Sequence, residues 1–141
     1  MSCSRRAFLE AGVRLGAGAM LLSACGGAPL DGSVTPAGGQ ATLSFAQFPK
    51  LQTVGGGVVV DAGGTLLVVI RTADAAAVGL SAVCTHEGCT VEYDGGNVPI
   101  SCPCHGSTFN AAGAVLSGPA RGALRKYAAT VGSDGVVVTL G

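Results

Sequence analysis

The stretch Gly57-Val58-Val59-Val60-Asp61-Ala62-Gly63-Gly64-Thr65-Leu66-Leu67-Val68-Val69-Ile70-Arg71 decides the fold class. Two apolar runs flank Asp61-Ala62-Gly63-Gly64, a cluster of residues suited to a sharp reversal, so the stretch predicts a hairpin of strands Gly57–Asp61 and Thr65–Arg71. Val58–Val60 and Leu66–Ile70 are apolar without alternation, as in strands covered on both faces. Working outward, strands are expected at Ala41–Phe45, Leu80–Cys84, Asn97–Ser101, Lys126–Val131 and Val136–Leu140, each bounded by Gly, Asp, Asn or Pro. Ser133-Asp134-Gly135 reads as a second hairpin turn. Ala73–Val78 could form one helical turn before Gly79 ends it. The sum is an all-β chain, a small antiparallel sandwich or barrel.

A length of 141 residues suits one domain. Charged residues make up 11% of the chain, and eight basic residues balance eight acidic ones. Binding to nucleic acid through phosphate neutralisation needs clustered Lys and Arg, so no nucleic-acid partner is expected. A hydrophobic fraction of 48% excludes global disorder, and the 24 glycines follow no collagen period.

The first 24 residues read as an address. Arg5-Arg6 give a positive start, and the 14 positions from Ala11 to Ala24 are mostly small and apolar, broken by Arg14. A membrane span needs about 20 apolar residues. Ser4-Arg5-Arg6-Ala7-Phe8-Leu9 resembles a twin-arginine export signal, and Leu22-Ser23-Ala24-Cys25 resembles a lipobox whose Cys becomes the lipidated first residue. The expected organisation is a signal over residues 1–24, a flexible tether over 25–40 and one domain over 41–141. Loss of Arg5, Arg6, Arg14 and Glu10 with the signal leaves five basic against seven acidic residues. The implied location is extracytoplasmic, on the periplasmic side, with a lipid anchor at Cys25, in a compartment where disulfides persist.

Two segments carry the chemistry: Cys84-Thr85-His86-Glu87-Gly88-Cys89 and Cys102-Pro103-Cys104-His105-Gly106-Ser107. They hold both histidines and every cysteine of the domain. Three readings are open. Two disulfides with two surface histidines would leave the placement of His86 and His105 unexplained. A structural zinc site would take four of the six donors. A two-iron cluster with mixed ligands would give thiolates to one iron and neutral imidazoles to the other, raising its potential because less negative charge surrounds it.

The two boxes resemble, in order and spacing, the cluster-binding boxes of the Rieske iron–sulfur proteins, over about residues 80–120. The resemblance implies a β fold with a loop-built cluster-binding subdomain and a 2Fe–2S cofactor. It assigns Cys84 and Cys102 to the inner iron, and His86 and His105 to the outer one. It pairs Cys89 with Cys104 as a disulfide, a mark of the respiratory members. Gly118-Pro119-Ala120 matches the proline-containing loop that covers the cluster. Ser107 matches a hydroxyl that bonds a bridging sulfide. Phe109 stands where high-potential members carry a tyrosine, so the expected potential is lower than theirs, within the family range of about −150 to +300 mV.

The implied role is one-electron transfer as a component of a larger oxidoreductase, since no other catalytic set is present. The expected redox partner is a cytochrome b-like subunit of a quinol-oxidising complex. The alternative is the large subunit of a molybdenum oxidase such as arsenite oxidase. The expected acceptor is a cytochrome c-like protein. A stapled extracytoplasmic binding module, held by disulfides or zinc, is the non-redox rival.

Overall fold

A computed structural model describes residues 28–141. The export motif and Cys25 lie outside the described residues. Twelve strands follow in order, with one 3-10 turn at Pro49–Gln52 and no α-helix among the described residues.

The hairpin at the centre forms as expected. Strands β3 (Gly57–Ala62) and β4 (Thr65–Ala73) pair antiparallel from Gly57↔Ile70 to Ala62↔Thr65. Gly63 and Gly64 turn the chain at φ 62° and 94°, a region closed to most side chains, and the Asp61 carboxylate accepts the Gly64 N–H at 2.6 Å. Around this pair a five-stranded sheet takes the order β1-β3-β4-β5-β10, where β1 is Gly32–Val34, β5 Ala76–Ser81 and β10 Lys126–Tyr127.

Both faces of the sheet are covered, which explains the unalternating apolar runs. Val58, Val60, Leu67 and Val69 enter one core with Ala41, Leu43, Val136 and Val138. Those partners come from a three-stranded sheet of β2 (Gln40–Ser44), β12 (Gly135–Thr139) and β11 (Ala129–Val131). Val59, Val68, Ile70 and Leu80 enter a second core with Cys84, Val91, Ile100, Cys102 and Phe109. Here the partners belong to a four-stranded sheet of β6 (Glu92–Tyr93), β7 (Ile100–Ser101), β8 (Thr108–Phe109) and β9 (Val115–Ser117), and to its loops. One core holds up the fold and the other holds up the cysteine loops.

Several expectations are corrected. Ala73–Val78 makes no helical turn. Ala73 pairs with Ala76 across a tight turn, and the Arg71 guanidinium holds that turn by donating to the carbonyls of Ala73 and Asp74. The strand expected over Leu80–Cys84 ends at Ser81, because Ala82 turns its N–H to Leu66 and Val83 makes only a single bridge, to Thr90. The run Lys126–Val131 is broken at Ala128, giving one piece to each of two sheets.

Residues 28–40, expected as tether, are docked. Strand β1 pairs parallel with β3, from Gly32↔Val60 to Val34↔Ala62. Asp31 latches it: its N–H donates to Val59 O at 2.7 Å and one carboxylate oxygen accepts the Val59 N–H at 2.9 Å. The other oxygen accepts from Lys50 Nζ at 2.7 Å. Ahead of it, the Ala28 N–H donates to Thr90 O at 3.3 Å.

Candidate metal centre

The two cysteine loops share one backbone design. In the first, Cys84 N–H donates to Cys89 O at 2.8 Å, and Gly88 N–H donates back to Cys84 O at 3.0 Å. In the second, Cys102 N–H donates to Ser107 O at 2.7 Å, and Gly106 N–H donates to Cys102 O at 3.0 Å. The offsets are identical, and both glycines sit at positive φ, 80° and 75°, where a side chain would be strained. Two sequences with different orders of Cys and His thus fold into matching turns that face each other.

That facing separates the donors by depth. Cys84 and Cys102 are free thiols and buried, whereas His86 and His105 are exposed. The imidazole rings stand 4.8 Å apart between centroids, nearly perpendicular at 86°. Cys89 and Cys104 are joined by a disulfide that ties the loops together. Burial pushes the Cys102 thiol up, and the neighbouring Cys84 adds to this; the backbone N–H groups of Cys104 and His105 favour the thiolate and oppose it. Glu87 stands beside the second imidazole, one carboxylate oxygen 3.5 Å from His105 Nε2.

A third segment closes the site. Gly118 has φ 95°, and a Cβ there would lie 2.5 Å from the Ser107 Cα. Ser107 is fully buried, and its hydroxyl oxygen accepts the Ala120 N–H at 3.0 Å. The Thr85 hydroxyl donates to Gly122 O at 2.6 Å, fastening the first loop to the same segment. Thr85, His86 and Gly118–Arg121 line a cleft of about 560 Å³ beside the exposed imidazoles. Phe109 lies wholly within the core that also holds Cys84 and Cys102.

The donor chemistry fits a mixed-ligand two-iron group. The disulfide removes Cys89 and Cys104 from the donor list, leaving two thiols and two imidazoles. Those four divide by depth: the thiols of Cys84 and Cys102 are buried and the imidazoles of His86 and His105 exposed, with Glu87 close to both imidazoles. A single tetrahedral zinc would draw both kinds together; donors held at two levels suit two metals. The model of the Rieske [2Fe-2S] domain matches residues 46–128.

The chain belongs to the Rieske [2Fe-2S] family.

The cofactor of a Rieske domain is a 2Fe–2S cluster. The protein is 42% identical over 83 residues to the cytochrome b6-f complex iron-sulfur subunit of Gloeobacter violaceus, covering 58% of this chain and 45% of that one. It is 34% identical over 100 residues to the iron-sulfur subunit 1 of the same complex in Nostoc, covering 69% and 56%. The chain thus spans about half the length of the curated relatives it matches. Among solved structures it is similar to the plasma membrane Rieske protein of Synechocystis, with a TM-score of 0.55 and 29% identity over 67% of this chain and 93% of that one. The ferredoxin of carbazole 1,9a-dioxygenase from Nocardioides aromaticivorans shares the fold, with a TM-score of 0.55 and 21% identity over 71% and 95%.

All six Cys and His residues singled out from the sequence come together, as do Ser107, Phe109 and Pro119. Sequence reasoning missed the Ala120 N–H on Ser107 and the fastening of Thr85 to Gly122. Glu87, exposed on the first loop, was given no role by the sequence, and the structure puts its carboxylate beside His105. The glycine of Gly118-Pro119 was the available signal for the close approach to Ser107.

Proposed function

We propose that Cys84 and Cys102 bind one iron of the cluster, and His86 and His105 the other, in an exported, membrane-anchored electron carrier. The carrying observation is the segregation of two buried thiols from two exposed imidazoles by loops that a disulfide locks together. When bound, the cluster supplies a reversible one-electron couple. The chain's own groups set how it is used. The buried cysteines exclude water from the inner side, and the backbone N–H groups of Cys104 and His105 stabilise sulfur anions there. Each histidine would keep one ring nitrogen outward, able to hold a proton or donate it to a partner at the surface. The similarity to cytochrome b6-f iron-sulfur subunits favours a quinol-oxidising complex with a cytochrome b-like subunit as donor side and a cytochrome c-like acceptor. Export by the twin-arginine route, lipidation at Cys25 and an extracytoplasmic location rest on the signal-like residues 1–25.

Purification of the full chain tests the ligand set. The expected result is a coloured protein with a visible spectrum and a reduced-state paramagnetic signal, both lost in Cys84→Ala and in His105→Ala. A colourless protein holding one zinc would overturn it.

A further inference from the structure

The docked N-terminal segment fixes where the chain joins the head. We propose that it joins beside the first cluster loop, so that an anchor at Cys25 holds the cluster-bearing face against the lipid surface; this rests on the lipidation proposed above. The backbone carries the argument. Ala28 bonds to the carbonyl of Thr90, the residue after the bridging Cys89, and Asp31 pins the following turn to Val59. Only Gly26 and Gly27 separate Ala28 from Cys25. Three residues reach at most about 10–11 Å when fully extended. A folded unit of the 114 described residues has a radius of gyration of about 13 Å. The leash is therefore shorter than the head's own radius, and it leaves from the side that bears the loops. A head joined at its far side would carry the loops a full diameter away from the membrane.

The surface at the joining point fits a lipid headgroup layer. Leu30 is 41% exposed two residues after Ala28, and Val83, 39% exposed, bridges to Thr90 itself. These are two of the five large apolar side chains exposed among the described residues, and they bracket the same backbone bond. Glu87, exposed on the adjoining loop, resists entry into the acyl layer, so the contact stays at headgroup level. The consequence is positional: the cluster face meets a donor at the membrane plane, without a long swing of the head.

The test uses full-length lipidated protein in phosphatidylcholine vesicles containing a dysprosium-chelating lipid. Spin relaxation of the reduced cluster is read by paramagnetic resonance, and Cys25 is examined by mass spectrometry. Strong relaxation enhancement is expected, falling several-fold when a fifteen-residue Gly/Ser segment of about 20 Å r.m.s. reach is inserted between Gly27 and Ala28. Leu30→Glu should weaken the enhancement while leaving the lipid in place. An unlipidated Cys25 overturns the anchor reading and the proposal with it. A lipidated protein whose relaxation is weak, or unchanged by the insertion, overturns the proposal alone.

Discussion

Ser107 is the only polar side chain fully buried among the described residues. Its oxygen accepts the Ala120 N–H, and its own proton remains available to a further acceptor, the role that the resemblance gives it toward a bridging sulfide. Ser107→Ala should therefore lower the midpoint potential, measured by voltammetry. It should also cost about 1–3 kcal/mol of stability in denaturant unfolding, because the Ala120 N–H loses its partner in a buried setting. Phe109 offers no hydroxyl at all. Phe109→Tyr should raise the potential if the ring faces a cluster sulfur ligand; no rise would assign Phe109 to packing alone. At this scale the cysteines and histidines that meet in the two loops were legible because Cys and His are rare here and their spacing is specific. The partner of Ser107 was not, because a backbone N–H thirteen residues away carries no residue-type signature.

At the level of elements, three segments meet at the centre, and the third is seated by a glycine. Gly118→Ala would put a Cβ 2.5 Å from the backbone of Ser107 at a φ of 95°. Backbone cannot move aside as a side chain can, so the Gly118–Ala120 segment must lift. The expected outcome is faster bleaching of the visible spectrum on warming, with the far-UV signature of the sheets retained. A second prediction concerns the other end of this subdomain. The Tyr93 hydroxyl donates to Gly55 O at 2.6 Å, and burial, with the Asp94 charge added, raises its pKa above the ordinary 10.0. The neutral phenol is the form the fold favours. Its contribution is complete below the ordinary tyrosine pKa and is lost as pH rises through the raised value. Tyr93→Phe should cost about 0.5–1.5 kcal/mol near neutrality. The variant should also show a shallower loss of stability above about pH 10, measured by urea unfolding at stepped pH. The long strands were readable from their apolar runs. The two-residue strands β6, β8 and β10 were not separately readable, since pieces so short owe their form to neighbours across the sheet.

For the molecule as a whole, the disulfide joins the halves of the site across 15 residues of chain. Replacing Cys89 and Cys104 together by Ala should cost about 3 kcal/mol by the loop-entropy argument. Unfolding followed by circular dichroism measures that loss, and cluster bleaching should become sensitive to loop motion at temperatures the native protein tolerates. The all-β class and the cluster boxes were legible along the chain. The layering was not, because a run such as Val58–Val60 states that both faces are covered without saying by what. The docking of residues 28–40 was hidden as well: Gly, Pro and Ser suggested slack, while one carboxylate, Asp31, binds the segment to β3.

The glycine turn at Gly63-Gly64 has a reach beyond its own corner. Side chains of β3 and β4 point alternately into the two interiors, so a slip of one residue at that reversal would exchange the linings of both at once. The scaffold and the loop cradle therefore depend on one and the same register. A fault at a distant bend is felt as far away as the paired loops.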